Sequence, residues 1–505
     1  MSNTLYDALF APHAGRSDPF LHLPDGSVLP YADFLATAAR YAHVLTEAKL
    51  SPGDRLAAQV EKSPEALALY AACVQAGVIF LPLNTGYTAD EMSYFVDNSG
   101  AAMLVCDPAR AEALSSLAKD GGATLHTLAA DGTGSLPEAA RDKPDTFATA
   151  DRGPSDLAAF LYTSGTTGRS KGAMLSHANL LSNAEALKDL WRFTGDDVLL
   201  HALPIFHTHG LFVATNVILA AGGAQIFLPK FDLDAVMDAL PKATSMMGVP
   251  TFYTRLLGDQ RFRREATSHM RLFTSGSAPL LADTHEAFEA RTGHRILERY
   301  GMTETNMNAS NPYDGERRAG TVGFPLPGVE IRITAQDSTD EVPPGEVGRI
   351  EVRGPNVFQG YWQMPEKTAD ELREDGFFIT GDLGSFDADG YLQIVGRDKD
   401  LIISGGYNIY PKEIELVLDD QPGVLESAVI GVPHEDFGET PLAVLVPEPG
   451  ATPDTDAIAE EVSTALARYK HPRGYVLIDE LPRNTMGKVQ KNELRQRYRD
   501  NFMPA

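Results

Sequence analysis

Tyr162-Thr163-Ser164-Gly165-Thr166-Thr167-Gly168-Arg169-Ser170-Lys171-Gly172 has the composition of a loop that wraps a phosphate. Gly165, Gly168 and Gly172 let the backbone turn sharply and bring its N–H groups close to an anion; Thr163, Ser164, Thr166 and Thr167 add hydroxyls, and Lys171 adds charge. The apolar run 157–161 predicts a strand feeding this loop, and the pattern over 177–187 predicts a helix some residues after it. A plain Gly/Ser/Thr connector would have the same composition, but such linkers rarely sit between two strongly apolar elements. The loop is not a Walker motif, which needs Gly-Lys-Ser/Thr opening a helix; here Ser170 precedes Lys171 and Gly172 follows it.

Outward from the loop the chain alternates strand and helix patterns. Asp25-Gly26 between short apolar runs predicts a hairpin; 55–60, 78–83 and 102–106 read as strands, with helices over 64–76 and 88–98 between them. Downstream, 198–203, 224–228 and 245–249 continue the series. Such βαβ repetition implies parallel strands covered by helices. Residues 129–153, rich in Asp, Gly, Pro and Thr, read as a surface connection. The expected class is α/β: a large N-terminal body of several subdomains with helix-covered sheets, residues 1–397, and a small mobile α+β domain, 398–505. The boundary falls where Gly396-Arg397-Asp398-Lys399-Asp400 interrupts two apolar runs, although a solvated charge run would look the same.

Further segments carry chemistry. Pro204-Ile205-Phe206-His207-Thr208-His209-Gly210 follows a strand end, where ligands of open α/β sheets bind. His207 and His209 lack the third ligand a metal site needs nearby. Small residues in Ser275-Gly276-Ser277-Ala278-Pro279 would let a flat ring lie against the backbone. In Glu298-Arg299-Tyr300-Gly301-Met302-Thr303-Glu304, Tyr300 offers a stacking ring, Thr303 a hydroxyl near phosphate or a helix cap, and Glu304 a hard oxygen ligand for Mg²⁺. Asp382, after a strand-like run that ends in a turn, suits two vicinal ribose hydroxyls. Gly405-Gly406 is a further glycine turn, and Lys488 stands at the tip of Pro482-Arg483-Asn484-Thr485-Met486-Gly487-Lys488, a loop in which an ordinary surface lysine would look the same.

The phosphate loop together with Tyr300-Gly301-Met302-Thr303-Glu304 resembles the acyl-adenylate-forming superfamily of acyl-CoA synthetases, adenylation domains and luciferases, and the resemblance runs over nearly the whole chain. It implies ATP, Mg²⁺ and coenzyme A as reactants. It assigns Thr163, Ser164, Gly165, Thr166, Thr167, Gly168, Lys171 and Thr303 to the phosphates and Thr163 and Glu304 to Mg²⁺. Ser277, Ala278, Pro279, Tyr300, Gly301 and Met302 fall to the adenine side, Asp382 and Arg397 to the nucleotide, and Gly405 and Gly406 to coenzyme A. Lys399 becomes a hinge that also borders the nucleotide, Lys488 the catalytic lysine, and His207 a residue bordering the acyl pocket, with a satisfied core histidine as the plainer reading. Glu-Arg-Tyr-Gly-Met-Thr-Glu looks most like the malonyl-CoA synthetases. An unpaired guanidinium beside an acyl pocket is costly, and the distal carboxylate of a small dicarboxylate is a partner that fits Arg299; pairing with Glu298 or Glu304 as scaffold is the alternative.

Composition bounds the remainder. At 505 residues, 43% of them apolar, the chain exceeds one core. A balance of 43 basic against 69 acidic side chains, net −26, disfavours nucleic acid and anionic membranes, so an anionic substrate must be held by local cations. Cys73 and Cys106 read as buried structural thiols, in keeping with a reducing cytoplasm. No signal-like N-terminus and no run of about 18 apolar residues is present, so neither export nor insertion is expected. The expected reaction is AMP-forming ligation of malonate or a near relative to coenzyme A, with Lys488 a point for control by a lysine acetyltransferase. The competing readings are a ligase for another short acid, an enzyme loading a carrier-protein thiol, for which the stretch after Lys488 is too short to hold a carrier, and a regulator without catalysis, which would not need Glu304, Asp382 and Lys488 together.

Overall fold

The strand that feeds the glycine loop, Leu157–Thr163, is apolar and buried over most of its length, and Lys171–Ser176 returns antiparallel beside it with Thr163 opposite Lys171. This is a computed structural model; it describes residues 2–163, 170–335, 338–404, 407–434, 437–484 and 487–502. Ser164, Gly165, Thr166, Thr167 and Gly168 of the loop, and Gly405 and Gly406, lie outside the described residues. Lys171 therefore begins a strand, and the helix His177–Leu190 starts directly after it, capped by Ser176 and Asn179 in a reciprocal box.

The chain divides into two compact units. The first comprises Met1–Ala319, Gly323–Glu330 and Val352–Phe378. It holds a six-stranded sheet in the order Thr124–Thr127, Met103–Cys106, Arg55–Gln59, Ile79–Pro82, Leu157–Thr163, Lys171–Ser176, parallel except for the last pair. The strands here are near-continuous apolar runs because helices cover them: Ala57, Leu81, Leu104 and Phe160 pack with Met92, Phe95 and Leu114 of the helices Ala89–Ser99 and Ala111–Asp120. Ser63 caps Pro64–Ala76 and Thr88 with Glu91 boxes Ala89–Ser99, which sets both helix starts where apolar periodicity begins.

A nine-stranded sheet in the same unit runs Phe324–Pro325, Asn306–Ser310, Leu297–Met302, Leu272–Ser275, Ser245–Gly248, Val198–His201, Ala224–Phe227, Pro19–His22, Val28–Pro30. The last two strands are the hairpin expected at Asp25-Gly26. Leu200, Ile226, Met246 and Phe273 form its core with Tyr253, Leu256 and Phe288. The connection over 129–153 is not wholly irregular, since Ser135–Ala140 is a short helix anchored by buried Leu136 and Ala140.

The second unit comprises Gly320–Val322, Ile331–Glu351 and Ile379–Ala505. Its five-stranded sheet centres on the long antiparallel pair Val424–His434 and Gly438–Pro447. Alternation there buries both faces: Val429, Ala443 and Leu445 meet Ile414, Leu418, Ile458 and Val462, while Ala428, Ile430, Leu442 and Val444 meet Leu481 and Leu494. A four-stranded sheet, Glu330–Thr334, Gly348–Arg353, Phe378–Phe386, Leu392–Arg397, lies mostly in this unit. Asp382 is not beyond a strand end, as its sequence surroundings suggest, but within Phe378–Phe386, because Gly381 at φ 70 kinks the strand without ending it. Cys73 and Cys106 are buried free thiols, and burial pushes Cys106 up to about 11.

Candidate functional site

In the first unit, Leu272–Ser275 and Leu297–Met302 run parallel with Ser275 opposite Glu298, which sets Arg299 beside the turn that begins at Gly276. Arg299 is 4% exposed. Its side chain lies so close beneath Gly276 that a Cβ there would stand 2.3 Å from Nη1. Among the described residues Arg299 makes no ion pair with Glu298 or Glu304, and its Nε and Nη2 have no hydrogen-bond partner. Burial lowers its pKa to about 9. A guanidinium in that state is expensive unless an anion joins it.

Around it, the neutral form of two histidines is favoured. Burial first, and then the charge of Arg299, lower His207 to about 4 and His209 well below the usual range. His209 Nδ1 is 3.1 Å from Ser277 Oγ, and its Nε2 has no partner among the described residues. Ser277 sits at φ 71, which turns the chain over Arg299 and leads to Ala278 and Pro279 at the surface end of the turn. Among the described residues no group of three His, Cys, Asp or Glu could hold a metal.

Tyr300, Gly301 and Met302 end the next strand and Thr303 opens the turn to Glu304. Gly301 stands where a bulge brings Asn306 O within 1.9 Å of any Cβ, so only glycine fits. Glu304 is 5% exposed, with Thr163 Oγ1 at 3.4 Å and Tyr361 Oη at 3.0 Å from its Oε1. Lys171, 8% exposed, pairs with Glu371 at 3.2 Å and lies 4.1 Å over the Tyr361 ring. The buried carboxylate and the hydroxyl fit Mg²⁺, which takes one or two protein oxygens and completes its shell with phosphate and water. Tyr361 and Glu371 are additions that motif reading missed; the signal was Gly360-Tyr361 followed by a helix carrying Glu371, with nothing local to connect either to the loop.

In the second unit Asp382 and Arg397 face each other across an antiparallel pair and form an ion pair at 2.6 Å. Lys399 lies in the single turn Asp398–Asp400, where burial, with Arg397 and Arg495 adding, lowers its pKa against the pull of Asp400. Asp400 itself is held by Arg495 at 2.7 Å. Lys488 is exposed on a loop closed by Asn484, whose backbone N donates to Lys488 O and whose side-chain Oδ1 accepts from Lys488 N. Crowding of its ammonium by protein atoms, then Arg397 and Lys399, bring its pKa to about 8 in spite of Asp382 and Asp400. So Asp382, Arg397, Lys399 and Lys488 are brought together, and Arg299, His207 and Ser277 form a separate group in the first unit.

The model of the AMP-binding enzyme family matches residues 13–362, and that of the AMP-binding enzyme C-terminal domain matches 413–488. The ATP-bound structure of MatB from Rhodopseudomonas palustris is 57% identical, covers 99% of this chain and 100% of its own, and superposes with a TM-score of 0.98. A feruloyl-CoA synthase of an Amycolatopsis species is 39% identical over 94% of each chain. The malonate–CoA ligase of Arabidopsis thaliana is 33% identical over 97% of this chain and 88% of its own. No helix among the described residues is long and apolar enough to cross a membrane. With the fold, the buried carboxylate beside the glycine loop and these likenesses in agreement, the chain belongs to the AMP-binding enzyme family and is an AMP-forming acid–CoA ligase that works through an acyl-adenylate with ATP, Mg²⁺ and coenzyme A.

Proposed function

We propose that the acid is malonate, or a close dicarboxylate such as methylmalonate, and that Arg299 receives its distal carboxylate. The observation that carries this is the buried guanidinium of Arg299, with no carboxylate partner among the described residues, set among neutral histidines. A monocarboxylic acid with an apolar tail would leave that charge uncompensated, whereas a second carboxylate offers a charge-assisted, two-pronged bond. The likeness to MatB and to malonate–CoA ligases supports the same reading.

The chemistry then divides into two displacements. The reacting carboxylate attacks the α-phosphorus of ATP and pyrophosphate leaves; the coenzyme A thiolate then attacks the acyl carbon and AMP leaves. Residues of the glycine loop, with Lys171 and Thr303, hold the phosphates, and His207 and Ser277 shape the acyl side, with Ala278, Pro279, Tyr300, Gly301 and Met302 toward the adenine. Glu304 and Thr163 would hold Mg²⁺, which supplies neutralisation of phosphate charge when bound. Lys488 brings an ammonium to the meeting of carboxylate and triphosphate, where repulsion is greatest. Asp382 and Arg397 serve the nucleotide, Gly405 and Gly406 coenzyme A, and rotation of residues 398–505 about Lys399 exchanges the two half-reactions. Acetylation of Lys488 by a lysine acetyltransferase would remove its charge and silence the first of them.

The test is AMP release by the purified protein with ATP, Mg²⁺, coenzyme A and a panel of malonate, methylmalonate, propionate, butyrate and ferulate. Malonate should lead the panel. Arg299→Ala should lose about ten- to hundredfold in kcat/KM on dicarboxylates, the worth of one charge-assisted contact, and far less on propionate. An equal loss on all acids, or a preference for ferulate, sinks the reading.

A further inference from the structure

Two carboxylates and one hydroxyl meet above the strand that carries Lys171. Tyr361 Oη is 2.6 Å from Glu371 Oε2 and 3.0 Å from Glu304 Oε1. A phenol has one hydrogen, so it serves one carboxylate at a time, and the shorter contact is with Glu371. Burial, and then the charges of Glu304 and Glu371, push the phenol pKa up, so that hydrogen stays.

Glu371 has further partners. Both of its oxygens lie 3.2 Å from Lys171 Nζ, and Lys367, four residues earlier on the same helix, reaches Oε1 at 2.9 Å. The three contacts are unequal. Those to Tyr361 and Lys367 have the lengths of strong hydrogen bonds to a charged group, whereas that to Lys171 is longer than the 2.7–2.9 Å usual for an ammonium on a carboxylate. Glu371 can therefore lose Lys171 and remain satisfied. Lys171 cannot lose Glu371 so cheaply. It is 8% exposed, and its ammonium otherwise rests on the face of Tyr361 at 4.1 Å. Among the described residues Glu371 is the carboxylate that pairs with Lys171, and a buried ammonium stripped of it needs another anion.

Backbone pairing holds this arrangement in place. Tyr361 pairs across to Ala173, Met174 N donates to Gly360 O, and Trp362 N donates to Gly172 O, so the segment that carries Tyr361 is stitched to the strand that carries Lys171. Thr368 Oγ1 accepts from Tyr361 N and donates to Met364 O, and so ties the helix Pro365–Glu371 to the same segment.

We propose that Glu371 stands in for a substrate phosphate on Lys171: it keeps the buried lysine paired and aimed before nucleotide binds, is displaced by the triphosphate, and takes the lysine back as pyrophosphate leaves. Tyr361 is the positioning residue that, with Lys367, holds the displaced carboxylate. The consequence is a moderated grip on phosphate, since binding exchanges one anion on Lys171 for another instead of creating a new pair. This rests on the reading of residues 162–172 as a phosphate loop.

Calorimetric titration of the whole protein with pyrophosphate in Mg²⁺ buffer separates the two ideas. Lys171→Met should weaken pyrophosphate binding on the order of tenfold or more, the worth of a charge-assisted contact; unchanged binding would overturn the phosphate-loop reading itself. Given that loss, Glu371→Gln, which keeps the shape and the Tyr361 contact, should tighten pyrophosphate binding on the order of tenfold. In the Lys171→Met background the same change should matter less than about twofold, because there is no ammonium to compete for. In steady state Glu371→Gln should lower both KM for ATP and kcat, as release slows. Unchanged or weaker pyrophosphate binding by folded Glu371→Gln, or KM rising as kcat falls, overturns the stand-in and leaves a structural salt bridge. Should Glu371→Gln not fold by circular dichroism, Glu371→Asp, whose shorter carboxylate falls away from Lys171, carries the same expectations.

Discussion

Gly276 and Arg299 are packed so tightly that the guanidinium occupies the space a Cβ would fill, at 2.3 Å from Nη1. The backbone at Gly276 is not in the left-handed region, so alanine is barred there by the arginine alone. Gly276→Ala should therefore displace Arg299 and little else. We expect kcat/KM for malonate to fall about ten- to hundredfold, as for loss of the contact itself, with propionate changed far less. Equal losses on both acids in steady-state assays would show that the turn, not the arginine, was disturbed.

Lys488 titrates at about 8 because its ammonium is crowded and faces Arg397 and Lys399. The charged form is therefore present below pH 8 and lost above it, so adenylation, followed by pyrophosphate exchange, should decline as pH rises through about 8. Lys488→Ala should abolish exchange yet still turn supplied malonyl-adenylate and coenzyme A into thioester. Near-normal exchange by Lys488→Ala would remove the lysine from the first step, and equal loss of both steps would argue against rotation between them.

Lys399 lies in one turn between the strand Leu392–Arg397 and the strand Ile402–Ser404. Proline there fixes φ and confines Asp398, so Lys399→Pro should hold one orientation of the residues that follow. One half-reaction should fall at least about tenfold more than the other in single-turnover measurements. Parallel losses would place the hinge elsewhere.

His177, at a helix start, accepts a hydrogen bond from Leu5 N at 3.3 Å through Nδ1, and burial, with Arg152 adding, lowers its pKa from 6.5 to about 4. Below pH 6.5 the unfolded chain takes up a proton that the folded chain refuses, so the stability this ring contributes is complete above 6.5 and is lost as pH falls toward 4. The loss is on the order of 3 kcal/mol. Thermal midpoints measured over that window should fall less steeply in His177→Gln, which does not titrate; an unaltered slope would count against the linkage.

Residue order alone determined much of this protein. Strand and helix alternation, the glycine loop with its hydroxyls, the Tyr300-Gly301-Met302-Thr303-Glu304 motif and the charged break at 396–400 are local patterns, and local chemistry is written in neighbouring residues. What the sequence could not decide was partnership across distance. Whether Arg299 pairs with Glu298 or stands alone depends on the strand Leu272–Ser275 arriving beside it and Gly276 leaving it room. That Lys171 meets Glu371, 200 residues away, and that Asp382 meets Arg397, depend on which strands become neighbours. Register across a sheet is set by burial of whole faces, a property of the assembled core and not of any one segment, and so the electrostatic state of each functional side chain was settled only when the chain folded.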